Sequence, residues 1–339
     1  MIRCTQEGCT APIDGKCLEG LELEACSHCT ITDDDLVNTD IESEISEEDS
    51  VSEITQFYNV HSGDALELNE TVQVTSSSLT RLILLAGLSE AGKTTMLACL
   101  FELFQSQSLY SHYTFAGSRT LIGFEKRCHL SRTKSGRNSP TTERTVRLPP
   151  KFLHLKVKYQ EEFTDLLFTD ISGELFKDLS NSTMECKKFE IAKRADHFVL
   201  FIDSDHLSNL TLRQAAKTRS IDILRGLIES QMLNPEAYID VVFSKWDLLL
   251  SKTKRENHEL FVSDIKKEIL KKFETTHKNI TFYNIASRPI DTQSLEFGYG
   301  IANLFPNWVE KTPFLYDNKM ECDLNKYFYN REFSKYKYS

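Results

Sequence analysis

LILLAGLSEAGKTT, residues 82–95, is the stretch of sequence that decides the fold. Five apolar residues, 82–86, come first, and such a run is typical of a strand buried on both faces of a sheet. Residues 87–94 then match the pattern G-x-x-x-x-G-K-[ST], and a helical sequence continues from Lys93 to about Gln105. A buried strand, this loop and a helix in that order predict a phosphate-binding loop (P-loop).

The residue types of this loop suit a nucleotide triphosphate. Gly87 and Gly92 let the backbone wrap closely enough for its amide groups to point at phosphate oxygens, and the following helix N-terminus adds its dipole. Lys93 is expected to neutralise the β- and γ-phosphates, and the hydroxyl of Thr94 to ligate Mg²⁺. The predicted phosphate-site residues are therefore Gly87, Glu90, Ala91, Gly92, Lys93, Thr94 and Thr95.

Further apolar runs predict buried strands, and helical patterns lie between them. The candidate strands are 152–159, 163–169, 198–202, 239–243 and 280–285. The clearest helix is 255–273, in which Phe261, Ile265, Ile269 and Phe273 share one face. Strands that alternate with helices predict an α/β fold with a doubly wound, mostly parallel sheet.

A second phosphate-site motif follows the strand at 163–169. Residues 170–173 read Asp-Ile-Ser-Gly and fit D-x-x-G. In this pattern Asp170 would hold Mg²⁺, usually through water, and the amide of Gly173 would reach the γ-phosphate. Glu174 comes next, where many GTPases carry Gln. Because an ionised Glu only accepts hydrogen bonds, we expect slow intrinsic hydrolysis unless a partner completes the site.

A base-recognition motif follows the strand at 239–243. Residues 244–247 read Ser-Lys-Trp-Asp and resemble N-K-x-D. The carboxylate of Asp247 would accept hydrogen bonds from guanine N1 and N2, while the stem of Lys245 covers the ring. Ser244 departs from the usual Asn and loosens the bracing of the loop. Adenine has no donor at N1, so Asp247 disfavours the alternative of an ATP-using kinase or ATPase.

A short turn follows the strand at 280–285. Ala286 and Ser287 are close to the small S-A-x loop whose backbone contacts guanine O6. We therefore add both residues to the predicted guanine site.

The segment between the P-loop helix and Asp170 must contain a first switch. Pro140-Thr141-Thr142-Glu143 resembles the P-T-x-E of small GTPases, in which a Thr closes over Mg²⁺ and the γ-phosphate. We assign this role to Thr142, with Thr141 as the alternative. Candidates for an internal arginine finger are Arg132, Arg137 and Arg144. The predicted catalytic residues are Lys93, Thr142, Gly173 and Glu174.

Cysteine and charge are unevenly distributed along the chain. Five of the nine cysteines lie in the first 29 residues (Cys4, Cys9, Cys17, Cys26 and Cys29), and this density favours a metal site over disulfides. Short thiolate spacings suit a tetrahedral Zn²⁺, with His28 beside them.

The predicted organisation is a Cys-rich head at 1–30, an acidic flexible linker at 31–56, a nucleotide-binding domain at 57–312 and an aromatic, basic tail at 313–339. The tail either packs on the body or docks a partner.

The charge pattern and hydropathy exclude several classes of protein. Of the net charge of −10, residues 33–53 contribute ten acidic residues and no basic one. The bulk of the chain is nearly neutral, which argues against a broad nucleic-acid-binding surface. No apolar run approaches the roughly 18 residues that a membrane span needs, and residues 1–10 lack an apolar signal core. We therefore expect a cytoplasmic protein.

The order of these motifs resembles that of the translation-factor-related class of P-loop GTPases. More narrowly, the chain resembles the second double-GTPase family of bacterial conflict systems. This likeness rests on DGKCLEG at 14–20, FAGSRTLIGFEKR at 115–127 and SPTTERT at 139–145. It covers the head and residues 57 to about 312, and it does not extend to the acidic linker or the tail.

The resemblance implies a GTPase that binds GTP and GDP with Mg²⁺ and acts as a switch in a bacterial defence system. It implies a co-encoded GTPase or effector as the partner. It also implies a zinc-knuckle-like head with Cys4, Cys9, Cys17 and Cys26 as the structural Zn²⁺ ligands, for which His28 and Cys29 are substitutes. The alternative function is a nucleotide-gated adaptor that binds GTP and partners with little hydrolysis of its own.

The base assignment gives a direct test. Asp247→Asn should weaken GTP binding and favour xanthosine triphosphate, because the C2 carbonyl of xanthine can pair with the new amide. Equilibrium binding of both nucleotides to the wild type and the variant measures this exchange. A variant that still prefers GTP would refute the role of Asp247.

Overall fold

The computed structural model describes residues 62–129 and 150–310, together with the backbone of two short strands at 2–4 and 29–31. The chain divides into two compact units, 1–58 and 59–339. In the first unit, strand β1 (Ile2–Cys4) pairs antiparallel with β2 (Cys29–Ile31). This pairing places the backbones of Cys4 and Cys29 opposite each other.

The second unit is built on a mixed seven-stranded sheet within the described residues. Its strands are β3 (Thr80–Gly87), β4 (Thr114–Gly117), β5 (Lys151–Tyr159), β6 (Glu162–Asp170), β7 (His197–Asp203), β8 (Tyr238–Ser244) and β9 (Ile280–Asn284). Their order across the sheet is β4-β5-β6-β3-β7-β8-β9. The five strands β6, β3, β7, β8 and β9 run parallel, and β5 runs antiparallel to both of its neighbours.

Helices cover both faces of this sheet. They are α1 (Val72–Thr75), α2 (Lys93–Ser106), α3 (Leu121–His129), α4 (Gly173–Asn181), α5 (Thr183–Lys187), a 3-10 helix (Glu190–Arg194), α6 (Ser204–Ser208), α7 (Arg213–Glu229), α8 (Trp246–Leu250), α9 (Arg255–Phe273) and α10 (Ile301–Glu310). Alternate residues of β3 enter two separate cores: Leu84 packs with α4, α7 and α9, and Ile83 packs with α2, α3 and α10. The buried run in β3 is therefore covered from both sides, as its sequence predicts.

The prediction of an α/β sheet with mostly parallel pairing is confirmed, since four of its six strand pairings are parallel. The two pairings of β5 are antiparallel, which makes the sheet mixed. The reason is the connection between β5 and β6, which consists of residues 160–161 alone. Two residues suffice for a hairpin, whereas a parallel crossover needs a dozen or more. Strand β4 was not predicted, because its four residues lie at the sheet edge and none of them is fully buried.

The parallel strands bring the predicted motifs to one edge of the sheet. Their last residues are Asp170, Gly87, Asp203, Ser244 and Asn284, in the order of the strands across the sheet. In open α/β sheets, ligands bind in the crevice outside these carboxyl ends. We therefore expect the ligand site at the carboxyl ends of the five parallel strands.

A buried carboxylate fixes the second half of the sheet. Asp240, in β8, accepts hydrogen bonds from Thr281 Oγ1 (2.6 Å) and Trp308 Nε1 (3.1 Å), and its Oδ2 lies 3.1 Å from Nδ1 of His197. These partners belong to β9, α10 and β7, so one side chain connects β8 and β9, which precede the predicted base-recognition loops, with a third strand and a helix. No described helix combines the length and the apolar composition needed to cross a membrane.

Candidate nucleotide-binding site

The P-loop is folded tightly around the side chain of Lys93. Gly87 has a φ of +139°, and a Cβ at this position would lie 2.7 Å from the carbonyl oxygen of Phe201 in β7. Lys93 Nζ donates hydrogen bonds to the carbonyl oxygens of Gly87 (2.7 Å) and Leu88 (3.0 Å). Burial lowers the pKa of Lys93 to about 8, against the opposing effect of the Asp170 carboxylate. Lys93 and Asp170 are therefore close enough to interact.

The D-x-x-G motif lies directly against the P-loop. Asp170 is buried at the end of β6, and the next helix begins at Gly173. Ser172 caps that helix, since its Oγ accepts a hydrogen bond from the amide of Glu174 at 3.3 Å. A Cβ on Gly173 would overlap the amide nitrogen of Ser89 in the P-loop. Only glycine allows this approach, so the two phosphate-site loops are in backbone contact.

Arg127 is part of this site, although it was not among the predicted site residues. It lies on α3, and its Nε donates to Asp170 Oδ2 at 2.8 Å while a second guanidinium nitrogen pairs with the same oxygen. Its remaining terminal nitrogen donates to the carbonyl oxygen of Gly123 at 2.7 Å. The carboxylate predicted to hold Mg²⁺ therefore carries a guanidinium partner.

The S-K-W-D loop follows β8 and is braced by β7. Ser244 Oγ donates to the carbonyl oxygen of Ile202 at 3.2 Å, which holds the start of the loop against β7. Lys245 has a φ of +52°, and its Nζ pairs with Asp203 Oδ2 at 2.7 Å. Asp247 Oδ2 accepts a hydrogen bond from the amide of Ile290 at 3.1 Å.

This loop lies beside the P-loop and beside the turn after β9. A Cβ on Gly92 would lie 3.6 Å from Cβ of Ser244. The amide of Trp246 donates to the carbonyl oxygen of Ile285 at 3.0 Å, and the amide of Ala286 donates to that of Tyr299 at 3.1 Å. Phosphate-site and base-site motifs therefore form one continuous surface.

The P-loop helix α2 also holds the turn that contains Ser287. Cys99 Sγ donates to the carbonyl oxygen of Ser287 at 3.0 Å. Arg288 forms a part-buried ion pair with Glu102, and its guanidinium stacks 5.2 Å from the ring centroid of Phe297. Helix α2 therefore braces the base-site turn as well as carrying Lys93 at its N-terminus.

The loops that carry the predicted residues of four motifs lie next to one another at the carboxyl edge of the sheet. The residues are Gly87, Glu90, Ala91, Gly92, Lys93, Thr94 and Thr95 of the P-loop, Asp170, Gly173 and Glu174, then Ser244, Lys245 and Asp247, and finally Ala286 and Ser287. The first-switch candidates Thr141, Thr142, Arg132, Arg137 and Arg144 lie outside the described residues. The same holds for Cys9, Cys17, Cys26 and His28, and only the backbone of Cys4 and Cys29 is described.

The donor groups at the phosphate edge fit Mg²⁺. A hydroxyl (Thr94) and a buried carboxylate (Asp170) are the hard oxygen ligands that this ion prefers. Across the described ranges, this edge included, no group of three or more His, Cys, Asp or Glu side chains is arranged to hold a metal ion.

Three residues of the site were missed in the sequence: Arg127, Asp203 and Arg288. Asp203 was detectable in principle, since an acidic residue directly after the buried run 198–202 falls at the same sheet edge as the other motifs. Arg127 ends the stretch 115–127 that carries the family resemblance, but its partner is 43 residues away. Arg288 gives no local signal, because Glu102 lies 186 residues earlier.

The α/β fold and the motif loops at its carboxyl edge are compatible with the class of P-loop GTPases. A family model described as Double-GTPase 2 matches residues 81–309, and the chain belongs to this family. This confirms the resemblance to a double-GTPase family of conflict systems. No curated protein matches the chain.

The brace between Arg288 and Glu102 leads to a test that separates the two halves of the site. Arg288→Ala removes a part-buried, charge-assisted contact from the base-site turn, so the affinity for GDP should fall about tenfold. The affinity for pyrophosphate, which has no base, should stay unchanged. Competition binding with both ligands measures the difference.

The matched control is Arg225→Ala, since Arg225 pairs with Asp222 on the exposed surface of α7. It should leave both affinities at the wild-type value. An equal loss of GDP and pyrophosphate binding in Arg288→Ala would contradict a role confined to the base site.

Proposed function

We propose that the protein binds guanine nucleotides together with Mg²⁺ and hydrolyses GTP to GDP and phosphate. The observation that carries this proposal is the meeting of four motif loops at one sheet edge, where Gly173 touches Ser89 and Ser244 lies beside Gly92. Each loop supplies the groups that one part of a nucleotide requires.

The phosphate half of the site would work through charge and backbone amides. Lys93 would exchange its bonds to Gly87 and Leu88 for phosphate oxygens, while Thr94 and Asp170 would hold Mg²⁺. Bound Mg²⁺ neutralises the charge that develops on the phosphates during phosphoryl transfer. The amide of Gly173 would donate to the γ-phosphate. We also keep Thr142 as the proposed first-switch ligand of Mg²⁺ and the γ-phosphate.

The base half of the site would select guanine. The carboxylate of Asp247 accepts from two donors, N1 and N2 of guanine, whereas adenine would leave it without them. Lys245 is anchored to Asp203, which holds its aliphatic stem at the edge of the base site. The amide hydrogen bond from Ile290 orients Asp247, and the backbone of Ala286 and Ser287 closes the site around guanine O6.

Glu174 favours a slow enzyme. It lies in the first turn of α4 beside the phosphate loops, where an ionised carboxylate could only accept hydrogen bonds and would bring negative charge towards the γ-phosphate. A group that orients the attacking water would then come from a partner. Membership of the Double-GTPase 2 family supports a co-encoded GTPase or effector of a bacterial conflict system as that partner.

The same residue favours a second candidate function, a nucleotide-gated adaptor that binds GTP and partners with little hydrolysis of its own. The intact set of Lys93, Thr94, Asp170 and Gly173 favours the enzyme. A cytoplasmic location stays a prediction from the sequence.

The two functions are separated by multiple-turnover phosphate release with GTP and Mg²⁺, with and without the product of the neighbouring gene. We expect slow basal hydrolysis and a stimulation of about 10³–10⁵-fold when the missing groups are supplied. Lys93→Ala should abolish nucleotide binding and turnover together. Fast, concentration-independent hydrolysis by the isolated chain would contradict completion by a partner, and tight GTP binding with no stimulated turnover would favour the adaptor.

We further propose that the head, residues 1–30, binds one structural Zn²⁺. The dense thiolates and the family resemblance support this, and the β1–β2 ladder supports it by placing Cys4 opposite Cys29 at the two ends of the Cys-rich segment. Cys4, Cys9 and Cys17 would supply three ligands. Cys26 is the proposed fourth, with Cys29 and His28 as its competitors.

Elemental analysis of the full chain tests the zinc site. Protein prepared without chelators should contain about one Zn²⁺ per chain. Cys4→Ser should lose the metal, and Cys322→Ser, a change outside the cysteine cluster, should keep it. Absence of zinc from the wild type, or full zinc in Cys4→Ser, would contradict the site, and a comparison of Cys26→Ser with Cys29→Ser identifies the fourth ligand.

A further inference from the structure

The guanidinium of Arg127 is fixed on two sides. Two of its nitrogens donate to Oδ2 of Asp170, and a third donates to the carbonyl oxygen of Gly123, one turn earlier on α3. The side chains of Arg127 and Asp170 are 15% and 6% exposed, so this ion pair is largely shielded from water. Such a pair is an ordered part of the site and not a surface contact.

Asp170 needs a cation next to it whenever it is ionised, because an unpaired buried carboxylate is costly. Lys93 lies close enough to interact with Asp170, but its ammonium donates to the two P-loop carbonyl oxygens of Gly87 and Leu88. Arg127 makes the direct contact. Because a guanidinium stays protonated at all physiological pH values, only another cation or a stronger acceptor can separate the pair.

We infer that Arg127 and Mg²⁺ compete for Asp170. The inference rests on the proposed function, in which Asp170 helps to hold Mg²⁺. A guanidinium bound to Oδ2 through two nitrogens occupies one of the two carboxylate oxygens and places a positive charge beside the position that the ion or its water would take. Both cations cannot lie against this one carboxylate at close range without strong repulsion.

Arg127 is therefore a positioning residue that acts through Asp170. It neutralises and orients the carboxylate in the nucleotide-free protein, and it leaves Oδ2 when Mg²⁺ and a nucleotide bind. Because Gly173 holds the D-x-x-G loop against the P-loop, phosphate oxygens would offer the released guanidinium a nearby acceptor. Binding of Mg²⁺ at Asp170 and release of the Arg127 side chain from Asp170 are therefore coupled, so that each favours the other.

Magnesium dependence of nucleotide binding tests the competition. The full chain is titrated with Mg²⁺ at a fixed concentration of a fluorescent GDP analogue. Arg127→Gln removes the competing charge, so the Mg²⁺ concentration for half-maximal binding should fall about 5–150-fold, the usual range for coupled sites. Lys126→Gln is the matched control, because Lys126 precedes Arg127 on α3 and pairs with Asp64 on the exposed surface. It should leave the Mg²⁺ requirement unchanged.

An unchanged or raised Mg²⁺ requirement in Arg127→Gln would overturn the inference, and a raised one would mean that Arg127 assists Mg²⁺ binding. If this variant does not fold, Arg127→Lys decides, since it keeps the charge but loses the contact through two nitrogens. It should shift the requirement in the same direction by a smaller factor, and no shift would overturn the inference. A wild type that binds no guanine nucleotide at any Mg²⁺ concentration would overturn the proposed function as well.

Discussion

The backbone contact between Gly173 and Ser89 is the constraint on which the site depends. A side chain at Gly173 would overlap the P-loop, and a side chain at Gly87 would press against the carbonyl oxygen of Phe201. These two positions set how closely the ends of β6, β3 and β7 approach. Strand β8, which precedes the predicted base-recognition loop, is hydrogen-bonded to β7. The end of β8 therefore lies next to the ends of these three strands. The predicted phosphate-site and base-site loops therefore lie side by side at one edge of the sheet.

Charged groups at this edge are matched with partners inside the protein. Lys93 is bound by two P-loop carbonyl oxygens, Asp170 by Arg127, and Lys245 by Asp203. Pairing of this kind keeps buried charges from destabilising the fold. In the proposed function, a nucleotide and its Mg²⁺ would replace the partners of Lys93 and Asp170. Binding would then be an exchange of contacts, and its affinity would depend on how strongly the internal partners hold.

Local patterns predicted the central elements of the fold, and long-range pairing explains what they missed. The run 82–86 is apolar without interruption, so it identified β3, and the same signal identified β7 and β8. The sheet is mostly parallel, as predicted, but the prediction assigned no direction to β5, whose antiparallel pairing with β6 depends on the two-residue turn at 160–161. Motif spacing indicated Lys93, Asp170 and Asp247. The partners of Asp170 and Glu102 are distant in sequence, and only the folded chain brings Arg127 and Arg288 to them.

The most direct measurement of the central claim is calorimetric binding of GTP and ATP to the full chain in the presence of Mg²⁺. If phosphate and guanine elements form one site, both nucleotides meet the same P-loop, and only GTP satisfies Asp247. GTP should then bind at least about a hundredfold more tightly than ATP, as expected when a polar group of the site loses its donors. Equal affinities for the two nucleotides would contradict a single guanine-specific site.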